Sequence, residues 1–127
     1  MDLNRTPQTI AESANEEIRA LNHATLGRAV FKQPADVYSV TESLATLIAR
    51  MPQALQQLGR AVQGFEDQQA IRMDDGSNPA ERVAAVAVAL ADAQAGLQSA
   101  HQAMQRANGI LCGMGGYFDD DGEDDDV

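Results

Sequence analysis

Tryptophan is missing from this chain, cysteine occurs once, and aromatic residues make up only 4% of it. The lone Cys112 excludes an intramolecular disulfide, and it has neither Cys nor His at the spacing a zinc site needs. Few β-branched residues cluster and no segment alternates apolar with polar positions, so no sheet is expected. No uninterrupted apolar run is long enough to span a bilayer. The nearest, Val83 to Leu90, is short and alanine-rich. Met1-Asp2-Leu3-Asn4-Arg5 lacks a basic region followed by an apolar stretch, which argues against an ordinary signal peptide. A cytoplasmic location is therefore expected, with signal-independent secretion as the alternative.

Basic residues are also scarce. Nine Lys and Arg stand against 19 Asp and Glu, a net charge of −10. Seven of the acids (Asp119, Asp120, Asp121, Glu123, Asp124, Asp125 and Asp126) sit in the last nine residues with no base among them. Without them, twelve acids face nine bases, a net of −3. The acidity belongs to the tail. Arg50, Arg60, Arg72, Arg82 and Arg106 are scattered, so direct nucleic-acid binding is not expected, whether by a helix-turn-helix or otherwise.

What remains is rich in Ala and Gln, both good helix formers. The clearest periodicity runs from Asn78 to Leu111. Val83, Val86, Leu90, Ala93, Leu97, Ala100, Met104, Ala107 and Leu111 follow one another at alternating steps of three and four, the mark of an amphipathic helix. Asn78 can cap it, Pro79 suits its first position, and Glu81 can complete a capping box. One row of this seam is large (Val83, Leu90, Leu97, Met104, Leu111). The other is small (Val86, Ala93, Ala100, Ala107), a pattern that allows close approach by another helix.

An earlier run extends from Val37 to about Ile71 through Val40, Leu44, Leu47, Met51, Leu55, Leu58, Val62 and Phe65. Pro52 removes a backbone donor and predicts a kink or short break at Ile48–Met51. Thr6 and Pro7 open a shorter helix carrying Ile10, Ala14, Ile18 and Leu21 on one face and ending near Gly27. Gly27 to Pro34 is a connector, with Val30 and Phe31 expected to tuck onto the body. Asp74-Asp75-Gly76-Ser77 is the strong turn signal between the long helices. The predicted fold is all-α: an antiparallel hairpin of two long helices with a shorter N-terminal helix packed on it, a three-helix bundle. Residues 1–6 form a disordered N-terminus, 7–112 the bundle, and 113–127 a Gly-rich hinge and disordered acidic tail.

Chemistry is hard to find in this pattern. His23 and His101 are the only histidines, and no pair stands four apart as a metal site on a helix would require. His101 and Cys112 are about 16 Å apart along one helix, too far to act together. Glu12, Glu16 and Glu17 lack the Glu-x-x-His spacing of a di-metal centre. Asp74-Asp75-Gly76-Ser77-Asn78 lacks the alternating ligands and closing Glu of a calcium loop. Gly113, Gly115 and Gly116 follow a helix instead of preceding one, so they make no phosphate loop. The expectation is a non-enzymatic protein with no catalytic residues, cofactor or metal.

Association is the function the residues favour. Gln56, Gln57, Gln63, Gln68, Gln69, Gln94, Gln98, Gln102 and Gln105 occupy non-core helix positions where Lys and Glu are commoner. Gln94, Gln98, Gln102 and Gln105 are candidate interaction residues, with Tyr117, Phe118 and the tail acids Asp119, Asp120, Asp121, Glu123, Asp124, Asp125 and Asp126. Ala84, Val88, Ala91 and Ala95 widen the apolar stripe of the last helix. These faces either cover the first helix or form an interface with a second copy or another protein. The acidic tail steers a basic partner, occupies a cationic groove in place of nucleic acid, or aids solubility.

A helical hairpin without a signal peptide, followed by Tyr117-Phe118-Asp119-Asp120-Asp121, resembles the small helical substrates of type VII secretion. Many of those carry Tyr followed four residues later by Asp or Glu, as Tyr117 and Asp121 do here. The resemblance implies a dimerising hairpin that is a substrate or partner of such a system. The Trp-x-Gly turn of that family is replaced by Asp74-Asp75-Gly76-Ser77, and the N-terminal helix is additional.

Overall fold

Thr6 and Asn78 start two of the three helices, and each does so with its own side chain. In the computed structural model, which describes residues 1–27 and 30–116, α1 spans Pro7–Ala24, α2 Pro34–Asp67 and α3 Pro79–Leu111. No strand occurs among the described residues. The fold is all-α with three helices, as the periodicities predict.

The Thr6 hydroxyl accepts from the Thr9 amide at 3.2 Å, and Pro7 fills the position after the cap. These satisfy a donor that the first turn leaves without an intrahelical partner. At the other end the Thr25 hydroxyl donates to the Leu21 carbonyl at 2.8 Å, closing α1 at Ala24, before the glycine expected to stop it. Met1–Gln33 forms one unit of the chain. Within it no residue of α1 is buried; Phe31 is half-buried and Val30 exposed.

The second unit begins at Pro34 and contains the hairpin of α2 and α3, which pack along their lengths. Pro34 opens α2, where a missing amide costs nothing. The helix then runs through Pro52 without a break. Apolar positions keep the same phase on both sides of Pro52, so burial against α3 outweighs the one hydrogen bond the proline forfeits.

Helix α2 ends at Asp67, earlier than the apolar pattern suggests, because the chain turns left-handed at Gln69 (φ 55°). The Ala70 amide donates to the Phe65 carbonyl and the Gln69 amide to that of Glu66, both at 2.9 Å. This is a Schellman ending with glutamine where glycine is usual. The connection then carries the expected turn: the Gly76 amide donates to the Met73 carbonyl at 3.2 Å, with Gly76 at φ 73°. The Asp75 carboxylate accepts from the Ser77 amide at 3.0 Å and from the Arg82 guanidinium at 3.1 Å. Asn78 caps α3 by accepting from the Ala80 amide at 3.0 Å.

The core between the helices is thin. Ala45 and Val83 are the buried hydrophobic residues, and no large side chain is fully buried among the described residues. Around them Leu44, Ile48, Leu55 and Val62 of α2 are half-buried against Leu90, Leu97, Met104 and Leu111 of α3. Gly59 faces α3, where a Cβ would lie 3.4 Å from the Leu90 side chain, an ordinary van der Waals contact.

Candidate functional site

Two flanks run along the hairpin, and they differ in chemistry. On one flank, Gln98, Gln102, Gln105 and His101 of α3 line a groove of about 470 Å³ with Ile48, Ala49 and Pro52 of α2. One stretch further toward the turn, Gln94 lines a groove of about 250 Å³ with Leu55, Gln56, Gly59, Arg60 and Gln63. The four glutamines singled out by sequence therefore share one side of the hairpin, joined there by Gln56 and Gln63. Proline at 52 leaves the carbonyl four residues before it, that of Ile48, without its helical donor.

The arrangement of α3 departs from the seam predicted for it. The large row is placed as expected: Val83 is buried, and Leu90, Leu97, Met104 and Leu111 are half-buried. The second row is not the small one. Gln94, His101 and Asn108, each four residues after a large position, are half-buried, while Val86, Ala93 and Ala100 are exposed; only Ala107 of the small row is half-buried as predicted. Near the turn, Gln94 shares a groove with Gln56, Arg60 and Gln63 of α2, whereas His101 lies opposite Ile48, Ala49 and Pro52. The buried Asn108 Oδ1 has no hydrogen-bond partner.

This placement leaves the opposite flank apolar and open. Val86, Ala89, Ala93, Gly96, Ala100, Ala103 and Ile110 are exposed along α3. Beside them on α2 runs a heptad row, Leu44, Met51, Leu58 and Phe65, whose last three members are 40%, 55% and 57% exposed. At the turn end, Val62, Ile71, Met73, Val83, Val86 and Ala89 line a groove of about 480 Å³ that continues this flank. The two-row signal was present in the sequence. Period alone does not say which side of a seam is used by the chain itself.

Other candidate residues are separated. Tyr117, Phe118 and the acids 119–126 lie outside the described residues. His23 belongs to α1 and His101 to the glutamine groove. The Cys112 thiol is exposed and donates to the Gly109 carbonyl at 3.2 Å. Among the described residues no group of three or more His, Cys, Asp or Glu is placed to hold a metal ion. The Ser77 hydroxyl and amide, with the Arg82 guanidinium, hold the Asp75 carboxyl below its ordinary value of 3.8. That is a turn-stabilising contact at the surface.

Length and composition also make α3 apolar enough to cross a membrane: an 18-residue window has mean hydropathy 1.3, and 6% of it is buried. The apolar character is spread around the helix by alanine, so no single run shows it. Comparison with protein-family models, curated proteins and solved structures finds no match to this chain.

Proposed function

We propose that this is a non-enzymatic interaction protein that works as a helical oligomer, assembled by covering the apolar flank of the α2–α3 hairpin. The observation that carries this reading is the pairing of a thin core with an open apolar face. A hairpin with Ala45 and Val83 as its buried hydrophobic residues has little apolar burial to offset chain entropy. The same hairpin leaves Met51, Leu58, Phe65, Val86 and Ile110 in water on its surface. Covering them adds roughly 25 cal/mol for each Å² of apolar surface removed.

The glutamine-lined flank stays wet in such an assembly and offers amide donors and acceptors to a second contact. The acidic residues from Asp119 onward supply charge for steering a basic partner or for solubility.

The test replaces Met51, Leu58 and Phe65 together by glutamine, keeping helix propensity, and follows both oligomer mass and thermal unfolding. On this reading the variant associates less, and its isolated chain keeps its melting temperature. A variant that melts well below the parent while the parent is monomeric would show these positions to be intramolecular core instead.

A further inference from the structure

The apolar stripe of α3 can be covered by a second copy of itself. Its members are Val86, Ala89, Ala93, Gly96, Ala100, Ala103, Ala107 and Ile110, of which Ala107 is half-buried and the rest exposed, stepping three, four, three, four, three, four, three as any heptad stripe does. Run backward, the steps are the same. A second copy laid antiparallel sets Val86 against the partner's Ile110, Ala89 against the partner's Ala107, Ala93 against the partner's Ala103, and Gly96 against the partner's Ala100. The two bulky ends meet each other and the small residues meet in the middle.

Two further observations agree with this arrangement. On the outer edge of the stripe stand Asp92, Ser99 and Arg106, each seven residues from the next. The same two-fold axis brings Asp92 to the partner's Arg106, twice over, and Ser99 to the partner's Ser99. The residual offset is about 3 Å along the helix, within the reach of an arginine. On α2, Met51 is adjacent to Pro52, which shares a groove with Leu97 and Gln98 at the centre of the α3 stripe. The same axis therefore sets Met51 against the partner's Met51 and half-buried Leu44 against the partner's Leu58, and carries Phe65, 57% exposed, toward the partner's Val37.

We infer that the protein forms a two-fold symmetric dimer in which the α3 helices pack antiparallel across this stripe. The inference rests on the reading of the apolar flank as an association surface and names its partner as a second copy of the chain. The stretch from Val86 to Ile110 is about 36 Å long, and two helices side by side are about 20 Å wide. The footprint is roughly 700 Å² on each copy, within the range of specific interfaces. A bilayer fits less well. Insertion of the apolar stretch from Val83 to Ala100 would carry Asp92, Gln94 and Gln98 into hydrocarbon, at a cost of several kcal/mol.

The test uses the full chain with Cys112→Ser. Ser99→Cys, on the axis, is expected to cross-link into a covalent dimer under mild oxidation with copper phenanthroline. Ala85→Cys, whose mate lies far from the partner's Ala85, is expected not to. Asp92→Arg and Arg106→Asp should each weaken dimerisation several-fold and together restore it. Ala100→Glu should give a monomer of unchanged helicity by circular dichroism. Cross-linking through Ala85→Cys, or a dimer indifferent to Ala100→Glu, overturns the inference. So does a monomer, including one that floats with vesicles of phosphatidylcholine and phosphatidylglycerol. A monomer destabilised by the Met51, Leu58 and Phe65 replacements overturns the association reading as well; one left unchanged by them overturns the self-pairing alone.

Discussion

Gln69 shows how a single side chain is tolerated against its own preference. It ends α2 at φ 55°, where a residue with a Cβ pays about 1 kcal/mol that glycine does not. The two capping bonds to Phe65 and Glu66 hold it there. Gln69→Gly is expected to raise stability by about 1 kcal/mol in urea unfolding, and no gain would contradict the Schellman ending. Asp75 acts through charge. Its carboxyl is held below 3.8, first by the Ser77 hydroxyl, then by the Ser77 amide and Arg82. A lowered folded value contributes stability that is present above 3.8 and lost as pH falls through the lowered value. Asp75→Asn should therefore flatten the acid limb of the stability curve below pH 3.8, measured by circular dichroism against pH. An acid limb identical to that of the parent would contradict this role.

At the scale of elements, α2 and α3 were legible because long runs with period near 3.6 leave little choice. Asn78 and Thr6 were legible as caps because their chemistry is local. The rotation of α3 was not. Val86, Ala93 and Ala100 alternate with the large row as regularly as Gln94, His101 and Asn108 do, and period alone does not choose between the two. The continuous path through Pro52 likewise depends on α3 holding both halves in phase. Pro52→Ala should restore the donor to the Ile48 carbonyl and stabilise the hairpin by roughly 1–3 kcal/mol, read in urea unfolding. A loss of stability would show that the groove beside His101 depends on the proline ring. The glutamine flank was half legible: the residues were identifiable, but their gathering along one side needed the register of the hairpin.

The molecule as a whole joins a hairpin with a thin core to an apolar flank that its own register leaves uncovered. Removing that flank from water is what drives the proposed association, and oligomer mass reports it most directly. Light scattering on the full chain and on a chain ending at Gly116, each over a hundredfold dilution, is the measurement to make. About twice the 13.5 kDa chain mass is expected for both at high concentration, falling toward one chain on dilution, because the helices and not the acidic tail hold the assembly. A mass of 13.5 kDa at every concentration for both would contradict it.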